Sequence, residues 1–249
     1  MLTRQQSAIT EIEEIDRDEW LEIFKSSWFQ GEHVVILGPT GTGKTYFAQP
    51  IVDMRDYVAV LAVKPKDETL ERFKNGYKYG YKKYEVIRKW PPDFGTNRFI
   101  YWEKPKGLHK LREQATKIHQ ALNEMYREGG WCIYVDEGGY IAGVLGLGQA
   151  IGVLLNQGRS SGISVVLCVT RPTSVVARVP KEAFSQPRHK LIFKYENRDE
   201  MKAAAQVADV DLKTLEGYMA SLETYHPKGY SDFVYFGKGK TYIVRNRGE

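Results

Sequence analysis

The chain has 249 residues, 42% hydrophobic and 27% charged, with a formal net charge of +5, enough apolar material for one sizeable core with small additions. It has no run near the roughly 18 uninterrupted apolar residues of a membrane helix, and its opening MLTRQQSAITEIEEID is too polar and acidic for a secretory signal, so no membrane insertion and a cytoplasmic location are expected. Cys132 and Cys168, the only two cysteines, sit inside apolar runs, so a disulfide scaffold or a thiolate metal site has nothing to be built from, and the five histidines lack ligand spacing, which favours surface or core roles over metal binding.

Residues 8 to 30 read as an amphipathic helix leading into a short, continuously apolar strand, His33 to Leu37, of the kind found at the centre of a parallel sheet. TYFAQPIVDM follows as a helix that Pro50 is expected to end or kink early. YVAVLAV is a second strand, and KPKDETLERF is a loop with a helix opening near Asp67. YEVIRKW and RFIYWEK read as strands separated by PPDFGTN. Leu108, Leu111, Ala115, Ile118, Leu122 and Met125 recur at helical spacing, and Gly129-Gly130 stops that helix.

WCIYV and SVVLCVT are further apolar strands, with a helix from about Gly148 to Gln157 between them. HKLIFKY is another strand, residues 199 to 222 read as two short helices, and DFVYFGKGKTYIVR alternates around Gly237 to Lys240 as a hairpin does. Strands alternating with helices predict an α/β fold with a central, mainly parallel sheet flanked by helices and a C-terminal β-hairpin. The expected division is an N-terminal helical segment at 1–30, a core at 31–198, and C-terminal helices with the hairpin at 199–249.

The chemistry is concentrated in GPTGTGKT, which satisfies the Walker A pattern between a strand and a helix. Gly38, Pro39, Thr40, Gly41, Thr42 and Gly43 form a loop whose N–H groups curl around phosphates, Lys44 reaches the β- and γ-phosphates, the Thr45 hydroxyl is placed for Mg2+, and Tyr46 follows at the helix start. ATP is the expected nucleotide. The acidic strand end WCIYVDE supplies Asp136 for the metal shell and Glu137 to orient or deprotonate water. The bland alternative is an acidic pair that caps the next helix.

KNGYKYGYKKYEVIRK, residues 74 to 89, interleaves lysines with Tyr77, Tyr79, Tyr81 and Tyr84. Cations beside stacking aromatics suit nucleic acid, and a solvated, tyrosine-rich surface hairpin accounts for the run nearly as well. Lys181, Arg188 and Lys190 form a second candidate surface.

The stretch VDEGGYIAGVLGLGQAIGVLLNQGRSSGISVVLCVTRPTSV resembles the central part of the HerA/FtsK-superfamily ATPases. HVVILGPTGTGKT, AVLAVKPKDE and SQPRHKLIFKYENRDEMKAAAQ are similar to the same superfamily, and together the resemblance covers roughly residues 30 to 245. It implies a RecA-like P-loop NTPase of the additional-strand class. It also implies an ATPase that moves double-stranded DNA as a homo-oligomeric ring, most like a viral or phage genome-packaging enzyme, acting in the host cytoplasm with a capsid portal as a possible partner.

Within that resemblance Arg159 is the arginine finger that completes a neighbour's site in trans, and Thr170 is a γ-phosphate sensor where many relatives carry glutamine. From residue chemistry alone Arg159 is better explained as a solvated arginine after a helix, and Arg171 is split between a site role and an Arg-Pro turn. Two other functions remain open: a Zot-like ATPase for assembly or export of filamentous particles, and an ATP-dependent switch or scaffold with little turnover.

Overall fold

A computed structural model of the chain describes residues 12–64, 68–92, 97–103, 107–173, 179–224 and 231–246. In chain order the elements are β1 (Glu13–Asp16), α1 (Arg17–Ser27), β2 (Val34–Leu37), α2 (Lys44–Asp53), β3 (Val58–Ala62), α3 (Glu68–Lys74), β4 (Glu85–Ile87) and β5 (Arg98–Trp102). They continue with α4 (Leu111–Glu128), β6 (Cys132–Val135), α5 (Gly148–Gln157), β7 (Ser164–Val169), α6 (Glu182–Ser185), β8 (His189–Phe193), α7 (Arg198–Ala208), α8 (Leu212–Ala220), β9 (Phe233–Gly237) and β10 (Lys240–Arg245).

The ten strands among the described residues join in one sheet, in the order β1-β10-β9-β8-β2-β7-β6-β3-β5-β4. From β8 through β4 every neighbouring pair is parallel, and β9 then pairs antiparallel with both β8 and β10. β2 shows why the centre reads as unbroken apolar sequence. Its four residues are all buried, because alternate side chains enter different layers. Val35 and Leu37 pack with Ile118, Leu122 and Met125 of α4, Leu154 of α5 and Leu215 of α8. Val34 and Ile36 pack on the other side with Trp20 and Phe24 of α1, Phe47 and Ile51 of α2, and Phe73 of α3.

The expected α/β architecture with a C-terminal hairpin is what the chain adopts. Several details differ from the sequence expectation. Residues 13–16 are strand rather than helix: Ile15 is tucked into the core as β1 runs parallel to β10, and Asp16 then caps α1 by accepting from the Glu19 N–H at 2.8 Å. Residues 8–11 lie outside the described part. The sheet draws on all three expected spans, since β1 and β10 are adjacent strands.

α2 does not stop at Pro50 but continues to Asp53. Pro50 has no N–H to give to the preceding turn, yet Pro50, Ile51 and Val52 are all buried, and burying Ile51 and Val52 is worth roughly 1.5–3 kcal/mol each. Packing therefore outweighs the lost bond. The strand expected in YEVIRKW shrinks to Glu85–Ile87 at the sheet edge.

The lysine-tyrosine run is not a hairpin. Gly76–Tyr79 makes a single 3₁₀ turn, and Tyr84 is fully buried with its hydroxyl donating to Asp53 Oδ1 at 2.6 Å. Asp53 also accepts from the Lys82 N–H at 2.9 Å, while Lys82 Nζ donates to the Asp53 carbonyl at 2.7 Å. Tyr81 accepts from Arg17 at 3.0 Å. Tyr77 and Lys78 remain exposed, so much of the run anchors α2 and α1 instead of forming a continuous stacking surface.

At the opposite sheet end, Lys238 and Gly239 link β9 to β10, both with positive φ (49° and 78°), as a tight two-residue turn with a right-handed strand twist requires. Among the described residues no helix is long and apolar enough to cross a membrane.

Candidate nucleotide site

The phosphate loop leaves the C-terminal end of β2 and enters α2. Its entry is fixed by the Gly38 N–H donating to the Val169 carbonyl of β7 at 3.2 Å. A Cβ on Gly38 would lie 2.7 Å from the Phe193 Cβ, so only glycine lets the loop pass this close to β8. Gly41 and Gly43 have φ of 86° and 91°, in the left-handed region that other residues rarely enter. Thr42 donates to the Pro39 carbonyl at 2.9 Å. These contacts hold the backbone curled into the kind of loop whose N–H groups can cradle a phosphate at a helix start.

Lys44 is buried, and its Nζ donates to the carbonyls of Gly38 and Pro39 at 2.8 Å each. Burial lowers its pKa, opposed by the carboxylates across the site, Asp136 and Glu137. Thr45 donates through Oγ1 to Asp136 Oδ1 at 2.7 Å, so two hard oxygen donors from α2 and from the end of β6 stand side by side. That pair suits a small divalent cation that takes oxygen ligands, as Mg2+ does. The residues thus fit both a phosphate chain and its metal.

Besides Thr45, Asp136 accepts from the Tyr134 hydroxyl at 2.5 Å, and that hydroxyl lies 3.5 Å from Cys168 Sγ. Tyr134 and Asp136 are two apart on one strand and so share a face, which brings a fully buried phenol against the carboxylate. Burial drives the Tyr134 pKa well above its ordinary value, keeping the group a donor. Sequence reasoning missed this tyrosine, whose only signal was a hydroxyl placed two residues before the acidic pair. Both cysteines are free and buried, and burial raises both thiols.

Glu137 follows at the tip of β6 and is held by Lys64, which lies just past β3, the neighbouring strand; Nζ is 2.5 Å from Glu137 Oε1. Lys64 was also missed as a site residue, although it stands in the quoted AVLAVKPKDE. The chain can turn away from β6 because Gly138 has no side chain: a Cβ there would meet Leu167 at 2.6 Å and the Cys168 carbonyl at 2.9 Å. Tyr140–Val144 then coils as a π-type turn before α5.

Thr170 leaves the C-terminal end of β7 beside the loop, its carbonyl accepting from Tyr195 at 3.1 Å. With Arg171 it lines a cavity of about 640 Å³ shared with Pro39, Thr40 and Thr42 of the loop and with Lys194, Asn197 and Thr224. Arg159 is elsewhere. It is exposed in the 3₁₀ turn Gly158–Ser161 that feeds the N-terminal end of β7, where Gly31 (φ 84°) approaches so closely that a Cβ would lie 2.8 Å from the Arg159 carbonyl. Because the strands are parallel, Arg159 and Lys44 of one chain are at opposite edges of the sheet.

No protein-family model matches the chain, and no curated protein sequence matches it. Solved structures do. The genome packaging NTPase B204 of Sulfolobus turreted icosahedral virus 2, in complex with sulfate, is similar with a TM-score of 0.61 at 14% identity, over 89% of this chain and 100% of that one. Its AMPPCP complex gives 0.62 at 15% identity over 88% and 98%. VirB4 of Thermoanaerobacter pseudethanolicus gives 0.59 at 10% identity over 87% and 89%.

Proposed function

We propose that this chain, which has the fold of the HerA/FtsK-type P-loop ATPases, is an ATP-hydrolysing motor that moves double-stranded DNA as a homo-oligomeric ring, packaging a viral or phage genome in the host cytoplasm. The observation that carries the reading is the Thr45–Asp136 contact beneath an intact glycine loop, with Glu137 next in the chain. The likeness to a genome packaging NTPase over 89% of the chain supports the choice of motor.

Gly38 to Thr45 bind the triphosphate, and Lys44 neutralises charge on its β- and γ-phosphates. Thr45 and Asp136 would hold Mg2+, which supplies further charge neutralisation at the phosphates when bound. Glu137 orients and deprotonates the attacking water once its carboxylate is turned to the site. Thr170, at the mouth of the cavity, senses the γ-phosphate, and Arg159 acts on a neighbouring subunit's nucleotide. The separation of Arg159 from its own phosphate loop supports a trans role, since no cis contact is within reach.

The test is steady-state ATPase of the purified protein with and without linear double-stranded DNA, alongside its mass in solution with ATP. Several-fold stimulation by DNA in an oligomer is expected. A monomer whose hydrolysis ignores DNA would overturn the motor reading.

A further inference from the structure

The N-terminal ends of the parallel strands make the sheet edge opposite the phosphate loop. There β8, the end of α7 and the β9–β10 turn wall a groove of about 650 Å³. Its lining includes Arg188, Lys190, Lys238 and Lys240, with Asp209 as the single carboxylate. Glu32, buried beneath it, pairs with Arg188 at 3.1 Å and Lys238 at 3.0 Å. Those two cations are thereby fixed in place and partly neutralised.

Lys190 and Lys240 are not neutralised in this way. Lys190 stands on β8 between Val35 of β2 and Phe236 of β9, half-buried. Burial lowers its pKa and only the charge of Asp209 opposes this; among the described residues its ammonium has no hydrogen-bond or ion-pair partner. Lys240 is exposed at the groove mouth, opening β10 just after the turn.

We propose that this groove docks the phosphate backbone of double-stranded nucleic acid. The inference rests on the DNA-motor reading above and names the surface that makes the contact. Four cations against Asp209 and Glu32 leave a positive excess, and a half-desolvated ammonium regains a partner when a phosphodiester oxygen enters. An acidic protein partner is disfavoured by the lining: protein interfaces are anchored by accessible aromatic and apolar side chains, whereas Phe236 here is only 7% exposed.

The experiment is a salt titration of binding between the full chain and a fluorescent duplex of arbitrary sequence. Lys190→Met with Lys240→Gln should weaken binding about tenfold or more at low salt. It should also flatten the slope of log affinity against log salt by about two, because each lost phosphate contact removes about 0.9 of a released counterion. Lys190→Arg with Lys240→Arg should keep both, and DNA-free ATPase should be unchanged in every variant. Lys240→Glu alone tests the groove if Lys190→Met fails to fold, since Lys240 is exposed. Unaltered affinity and slope in the neutral variants, while the unmodified protein binds, overturn the groove alone. Failure of the unmodified protein to bind a duplex at any salt overturns the DNA reading with it. Groove-dependent binding of polyglutamate without binding of duplex would assign the groove to an acidic protein and overturn the proposal.

Discussion

Lys64 Nζ lies 2.5 Å from Glu137 Oε1, so the residue proposed to activate water is held by an ammonium from just past the neighbouring strand. The two side chains are 46% and 31% exposed, which screens the pair and limits its worth to roughly 0.2–1 kcal/mol. A carboxylate oxygen occupied by an ammonium is not free to accept from water, so the contact must open for Glu137 to act as proposed. Lys64→Met should therefore raise DNA-free ATPase, by no more than about fivefold on that energy. A fall in turnover with ATP affinity unchanged would show instead that Lys64 positions the glutamate for catalysis.

The tasks proposed for Lys44 and Glu137 are separable. Lys44→Ala should abolish tight ATP binding, measured with a fluorescent analogue. Glu137→Gln should bind normally and lose about a hundredfold or more in turnover, the range expected when general-base help is removed. Near-normal steady-state turnover in Glu137→Gln would exclude this residue as the base.

Arg159 is tested by mixing. Arg159→Ala should bind ATP through its own Lys44 yet turn over about a thousandfold more slowly. Adding Lys44→Ala should restore part of the activity, because a mixed interface pairs an intact loop with an intact arginine. Full activity of Arg159→Ala in a demonstrated monomer would sink the trans assignment.

Acid should unfold the protein in two stages. Burial lowers the pKa of His33 to about 4, and likewise that of His189, whose Nδ1 is 2.7 Å from the Tyr235 hydroxyl. The unfolded chain, with ordinary histidines near 6.5, then binds more protons than the folded one, so stability falls as pH drops from about 6.5 toward 4. Burial resists ionisation of Glu32, but the Phe29 N–H, Lys238 and His189 outweigh it and draw its pKa down to about 2. Its contribution is present above pH 4.5 and is lost between there and 2. Thermal unfolding from pH 7 to 3 should show Tm falling through both windows, and His189→Gln should flatten the upper one. A Tm independent of pH between 7 and 4.5 would contradict the histidine assignment.

The loop, the acidic strand end and the alternation of strands and helices were legible because each has a local signature. Gly41 and Gly43 are needed for their own backbone angles, and Val34 to Leu37 are apolar on both faces because both are covered. What was not legible depends on distant partners. Tyr84 looks like a surface tyrosine until Asp53 is placed beside it, and Lys64 looks like a loop lysine until β3 is set next to β6. The start of the chain misled for a similar reason: residues 13–16 have helical neighbours in sequence, and only β10, from the far end of the chain, makes them a strand.

The place of β2 in the sheet has a consequence for how the protein is made. Its two partners, β7 and β8, come from residues 164–193, and Gly38 depends on Val169 for its hydrogen bond and on Phe193 for its close support. During synthesis the phosphate loop thus leaves the ribosome well before the strands that complete it. Contacts of such long sequence separation are slow to form. Until β8 has emerged, a nascent chain carries the whole glycine loop but lacks the walls that shape it, so capture of ATP becomes a report that the sheet has closed around its centre.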